Sequence, residues 1–397
     1  MSRNPYGWVN SRVVSFLKNF LFGFIIWPCK TKMKKYARHQ KDGKSWYVRL
    51  YKKGDEGQIN DLFNEIFCQS RPLDTWKWKF LKNPAFPKQI IALADANGRI
   101  IGIYPSIIER FKFGDKIVLA AQPVDNCVHP DFRGGARVQI AIKKAFIERS
   151  KDLGLAFAFG FPNKIHYKIG KKLLKYEDLC SLPILFKRLN LRLAFRGRFQ
   201  CKFLEAIVYL VSNQLYKAFY KLFRSRRYSK DIIIERITRF NESFDEFWSI
   251  ASKNYQIITV RDNLYLNWRY IENPNGPFVI YKASKKGIVQ GYIVLKLFET
   301  GSEKVGFVVD FFTVNDEQII LSLLNEAILY FLKEKVDYIK CAILSNNKIY
   351  QVLIKQGFSS LEGQNVVYEI LDKTIDMKFF SNIENWFLTW GDSDLFG

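Results

Sequence analysis

Val118–Val128 reads V-L-A-A-Q-P-V-D-N-C-V, His129–Arg137 reads H-P-D-F-R-G-G-A-R, and Val138–Arg149 reads V-Q-I-A-I-K-K-A-F-I-E-R. The first segment is rich in small and β-branched residues, which predicts a strand. Pro130 and the Gly134-Gly135 pair break it. The third segment carries Ile140, Ala141, Lys144, Ala145 and Glu148, all good helix formers. Leu155–Phe161 predicts a second apolar strand, and Pro162-Asn163 opens another short helix. The order is strand, glycine-bearing turn, helix, strand, turn, helix. Such a turn is an anion site in physical terms: free backbone N–H groups and the positive helix end converge there. Glycine lets a phosphate approach the chain, and Arg133 and Arg137 add charge on either side. The same features also fit an ordinary strand-to-helix turn with its arginines in solvent.

Outward from this stretch the chain repeats itself. W-K-F-L-K-N-P at Trp78–Pro84 recurs as W-R-Y-I-E-N-P at Trp268–Pro274. Ile100–Tyr104 matches Val289–Ile293, Val124-Asp125 matches Val309-Asp310, and Asn163-Lys164-Ile165 matches Asn347-Lys348-Ile349. In chain order the offsets are 190, 189, 185 and 184 residues. Four matches in one order with a slowly drifting offset predict two copies of one fold, each of about 140 residues.

With 397 residues, 48% of them apolar, the chain can bury two cores. Six cysteines are scattered without a C-x-x-C motif, which predicts reduced thiols in a cytoplasmic protein. With only three histidines besides, a zinc site is not expected, and no metal ligands are assigned. The net charge of +24 is unevenly placed. Residues 1–53 hold 13 Lys+Arg and one acid, and residues 187–230 hold 12 Lys+Arg and one acid. The remainder is close to neutral. Val13–Trp27 is apolar but too short, and too interrupted by Lys18 and Asn19, for a spanning helix. Followed by Lys30, Lys32, Lys34, Lys35 and Arg38, it fits either a peripheral anchor on an anionic membrane surface or a helix docked on the protein's own core. Between the copies, Leu204, Val208, Val211, Leu215, Phe219 and Leu222 fall at helical spacing. They predict a linker helix that either packs across both copies or lies at an interface.

The turn Val128–Ala136 resembles the acetyl-CoA loop of the GNAT superfamily of N-acyltransferases, whose pattern is V-x-P-x-[YF]-R-G-x-G-x-G/A. Phe161–Tyr167 (F-P-N-K-I-H-Y) resembles the exit of that family's fifth strand. The resemblance implies an α/β fold, an α+β mixed sheet, in two tandem GNAT-like units joined by a helical linker. It divides the chain into a basic extension (1–45), a unit with the acyl-CoA loop (46–186), a basic helical linker (187–231), a degenerate unit (232–372) and a tail (373–397). It also implies acetyl-CoA or another acyl-CoA as donor and a primary amine as acceptor. Val128, Arg133, Gly134, Gly135, Ala136, Arg137, Val138 and Asn163 would hold the cofactor, though Asn163 also suits a helix cap.

Ala136 and Val138 fall where the family has glycines. Alanine serves there if its φ is negative, whereas valine is harder to fit at a close approach. Asp125 on the fourth strand is the expected base. Tyr167 is the expected acid with His166 as its rival, because the family's tyrosine position falls on Gly170. His129 reads as a turn residue.

In the second copy, Asn315, Asp316, Glu317 and Gln318 replace the basic glycine turn, and like charge repels a diphosphate. That copy is expected to brace the first and wall the acceptor cleft. The tail Trp386–Gly397 is expected to dock its tryptophans in a groove. Two other functions stay open. One is a Fem-type transfer from aminoacyl-tRNA to a cell-wall precursor, which the basic appendages suit. The other is a non-catalytic membrane-surface binding protein.

Overall fold

The computed structural model describes residues 45–85, 88–189, 202–227, 231–301 and 303–396. The apolar run at 13–27 and the basic segment after it lie outside them. The described chain is a mixed α/β structure built on one continuous sheet. Its first half contributes β1 (Tyr47–Leu50), α1 (Glu56–Phe67), α2 (Leu73–Leu81), β2 (Ile90–Ala96), β3 (Arg99–Phe113), β4 (Lys116–Pro123) and the short β5 (Cys127–Val128). Then come α3 (Arg137–Asp152), β6 (Leu155–Gly160), α4 (Lys164–Leu173) and β7 (Glu177–Arg188). Helix α5 (Lys202–Arg227) leads to the second half: β8 (Ile232–Ile237), α6 (Ser243–Ala251), β9 (Ile257–Thr259), β10 (Val279–Lys285), β11 (Ile288–Thr300) and β12 (Glu303–Thr313). Helix α7 (Glu317–Lys333), β13 (Tyr338–Ala342), α8 (Lys348–Lys355) and β14 (Ser359–Ile370) complete it.

The strand order β1-β2-β3-β4-β6-β14-β7-β13-β12-β11-β10-β8 reads alike from either end. Each half has an antiparallel meander, then a parallel pair: β4 with β6, and β12 with β13. The last strand of each half crosses over. β7 pairs with β13 of the second half, and β14 pairs with β6 of the first. The two exchanged strands then pair with each other. The repeated tryptophans meet at this symmetry: the Trp78 and Trp268 rings stack 5.2 Å apart at 20°. Each indole N–H donates to the other's carbonyl, at 2.8 and 3.0 Å. The two halves thus share one core.

The tail docks, as its tryptophans predict. Trp386, Phe387, Leu388 and Trp390 are fully buried. A buried arginine holds the tail: Arg261 pairs with Asp310 at 3.2 Å and with Asp392 at 2.8 Å. Asp310 also accepts from Tyr270, Tyr292 and Thr389. Arg269 donates to the carbonyls of Gly391 and Ser393, and Gln122 of β4 donates to that of Asp392. The buried charges of Arg261, Asp310 and Asp392 are thus paired with one another, as burial requires.

The interhalf helix α5 departs from the packed-linker alternative. The face expected to cover both copies points outward, with Leu204, Val211, Leu215, Phe219 and Leu222 all exposed.

Candidate active site

Pairing between β4 and β6 stops at Ala121 and Ala158, while both strands run on. A cavity of about 1190 Å³ opens beyond that point. Gln122–Val128 line one side and Phe159–Asn163 the other, with Arg133, Ala136 and Gln139 at the turn. The exchanged β14 adds Val367, Tyr368 and Glu369. Lys79, Lys296, Asp394 and Phe396 close the far end.

The turn into α3 presents a helix N-terminus with no side-chain cap. The first amides of a helix have no partner within it, and the helix dipole adds positive potential there. On the same first turn Gln139 turns a buried Nε2 without a hydrogen-bond partner, and Arg71 Nη2 and Asn126 Oδ1 in the cavity lining are likewise unsatisfied. Three orphaned polar atoms in one cavity are what a bound polar ligand satisfies. The uncapped helix end and the two donors, Gln139 and Arg71, fit a diphosphate, whereas the Asn126 oxygen is an acceptor and calls for an N–H or O–H of a ligand.

Two expectations about the loop are corrected. Ala136 has φ +56°, left-handed instead of negative, so its Cβ is strained where a glycine would not be. Val138 does not face the turn: it is buried, and its side chain reaches back to the open face of Gly102. It offers a ligand only its main chain. Arg133 lines the cavity but spends its Nε on the Val128 carbonyl at 2.8 Å. Gly134 borders open space in the turn, and Arg137 is exposed outside the cavity lining. Ala136→Gly is expected to raise stability by about 0.5–1 kcal/mol, since relief of left-handed strain exceeds the entropy of a new glycine. Urea unfolding of the two proteins measures it, and a lower midpoint for the variant contradicts this account of the turn.

The expected acid and base are rearranged. Asp125 lies past the end of β4 with φ +55°, not on the strand. It pairs with Arg71 at 2.5 Å and Lys79 at 3.2 Å. Burial pushes its carboxyl up, but the two cations outweigh that and hold it below the usual range. An ionised carboxylate so engaged is a poor proton acceptor. Tyr167 is outside the cavity lining, where its hydroxyl donates to Asp178 at 2.9 Å. His129 caps the turn, its Nδ1 accepting from the Asp131 amide.

His166 does line the cavity, on the first turn of α4, and burial lowers its pKa so that the imidazole is neutral. Asn163 caps that helix by accepting from the His166 amide at 2.7 Å, and it lines the cavity too.

Tyr104, Tyr176 and Tyr368 line the cavity, and Tyr176 is the phenol beside His166. Its ring fills the space above Gly170, where any Cβ would overlap it. Gly170 is the position at which the family resemblance expected a tyrosine, so a phenol six residues later takes up the vacated room. Tyr176 OH lies 3.4 Å from His166 Nε2 and 3.4 Å from Tyr104 OH. Burial pushes its pKa up to about 12, which keeps the proton on the oxygen. Nothing local in the sequence marks Tyr176, because Lys175 turns the chain back at φ +54°.

At the other end, burial raises the Asp394 carboxyl against the opposing pull of Lys79, whose Nζ is 3.9 Å away. Lys296 is pushed down to about 8 by burial and by Arg269.

The corresponding turn of the second half is built differently. Asp316 caps α7 with its own carboxylate, which accepts from the Gln318 amide at 2.8 Å. That helix end has one of its free amides already capped and carries negative charge.

A family model described as an acetyltransferase (GNAT) domain matches residues 47–172. No curated protein matches the sequence. Among solved structures, a probable N-acyltransferase from Enterococcus faecalis superposes with a TM-score of 0.59 at 10% identity, covering 83% of this chain and 73% of that one. A GCN5-related N-acetyltransferase from Anabaena variabilis gives 0.59 at 12% identity, over 83% and 73%. The Saccharomyces cerevisiae N-myristoyltransferase with bound myristoyl-CoA gives 0.51 at 12% identity, over 83% and 84%. At such identities the likeness is one of fold. The matched segment, residues 47–172, carries the turn and the parted strands and is similar to a GNAT acetyltransferase domain, and the likeness of fold extends over most of the chain.

Proposed function

We propose that the chain transfers an acyl group from acetyl-CoA, or another acyl-CoA, directly to a primary amine, using the first half for the chemistry. The observation that carries the reading is the meeting in one cavity of an uncapped α3 N-terminus, a buried unpaired Gln139 donor and the Tyr176 phenol. The thioester supplies an activated acyl carbon: the amine nitrogen bonds to it, the C–S bond breaks, and the nitrogen gives up a proton. The α3 amides and Gln139 hold the diphosphate. Tyr176 gives its proton to the leaving sulfur and recovers one through His166 or Tyr104. His166 and Asp394 are the cavity groups suited to take the amine's proton, because the one is neutral and the other has a raised affinity for protons.

Transfer without an acyl-enzyme is favoured by Cys127, the thiol in the cavity lining. Burial pushes its pKa far up, and a protonated thiol is a weak nucleophile. Free Cys68, Cys127, Cys180 and Cys341 suit a reducing, cytoplasmic setting.

Titration calorimetry with CoA tests the reading. One site per chain is expected, since Asp316 occupies the matching helix end of the second half. Gln139→Glu is isosteric and suits a helix N-terminus, but it sets a negative charge against the diphosphate and is expected to weaken binding at least about tenfold. Absence of binding, two sites per chain, or an unchanged affinity in the variant overturns the assignment.

A further inference from the structure

Helix α5 runs 26 residues from Lys202 to Arg227, a length of about 39 Å. Phe203 and Leu204 are 72% and 51% exposed, Leu210 and Leu215 58% and 65%, and Phe219 and Leu222 56% and 54%. At 100° per residue they fall on one side of the helix. The packed flank adjoins this stripe: Val208, Ser212 and Tyr216 are partly covered, and the helix rests against α7. Monomeric soluble proteins rarely leave so long an apolar stripe in water. Something covers it.

Charge decides between the candidates. The helix sequence holds six Lys/Arg and one Glu. A second copy would set this helix against its own charge. The N-terminal residues 1–44 hold ten Lys/Arg and one Asp, and their apolar run Val13–Trp27 holds no acid, so neither its basic part nor that run brings anions to the helix's six cations. A nucleic acid has the right sign but no use for a stripe of leucine and phenylalanine. An anionic lipid surface answers both properties, taking up apolar side chains below its headgroups and drawing basic ones to them. Among the described residues no helix is long and apolar enough to cross a membrane, so the contact is one of lying on the surface.

We infer that α5 is an interfacial helix that docks the protein on anionic membrane, its Phe203–Leu222 stripe entering the headgroup layer. The inference stands apart from the acyl-transfer reading and survives its failure.

Flotation of the full chain with vesicles tests it, comparing phosphatidylcholine alone with the same lipid holding roughly 30% phosphatidylglycerol. The wild-type chain is expected to float with the anionic vesicles only. A Leu210→Glu/Leu215→Glu double variant is expected to lose that binding at least about tenfold, with an unchanged thermal midpoint as the control for folding. Hydrogen exchange locates the contact: amides of 202–227 should gain protection on anionic vesicles. No flotation of the wild type, equal flotation of the variant, or flotation without protection of 202–227 overturns the proposal. So does a dimer in solution that the double variant dissociates, because a second copy then covers the stripe.

Discussion

Replacing Arg261 by methionine is expected to cost about 3–5 kcal/mol and to release the C-terminal tail. Asp310 and Asp392 both have side chains with no exposure, and Arg261 is the cation bridging them. Without it two carboxylates stay buried against each other, with hydroxyls and the Thr389 and Phe311 amides as their remaining donors. Methionine fills a comparable volume, so lost packing is a small part of the effect. Denaturant unfolding gives the energy, and hydrogen exchange over 386–396 gives the local release. A loss below about 1 kcal/mol would show that the remaining donors or water satisfy the carboxylates without Arg261. Because the tail delivers Asp394 and Phe396 to the cavity, the variant's acceptor KM should rise more than its affinity for CoA falls.

Tyr176→Phe is expected to lower kcat by about 10²–10⁴-fold while leaving CoA affinity unchanged. The ring still fills the space above Gly170, so the fold is retained and only the hydroxyl proton is lost. Thiol release from acetyl-CoA, followed with an amino sugar, a peptide amine and a polyamine as trial acceptors, provides the measurement. Tyr167→Phe serves as the control and should leave turnover within about twofold, since that hydroxyl faces Asp178 outside the cavity. If the two variants behave alike, Tyr176 does not protonate the leaving group.

Where information was local, the sequence was readable. Asn163 suited a cap by its type and place and caps α4, and Asn347, its match in the second copy, caps α8. The acidic turn of the second copy was visible as Asp316, and it does cap α7 with its own carboxylate. The Trp78 and Trp268 motifs marked equivalent places, although their mutual stacking was not foreseeable from either copy alone. The errors have one origin. Asp125 was expected as the base because its partners, Arg71 and Lys79, lie 54 and 46 residues earlier and were not visible beside it. Tyr167 looked like the acid because it sits at a motif, whereas Tyr176 reaches the cavity only after a left-handed turn. Val138 looked like an obstruction because its facing residue, Gly102, belongs to another strand.

By itself the chain's order of residues determined that a basic, glycine-bearing turn would open a helix, and that a second copy of the same plan would follow without it. Turns, caps and helices depend on neighbours a few positions away, and those neighbours are written beside them. The exchange of β7 and β14, the seat of the tail and the set of side chains around the cavity were decided only by the tertiary structure. Proton affinity and ligand fit depend on which groups share a low-dielectric space, and folding brings those groups together from positions far apart in the chain.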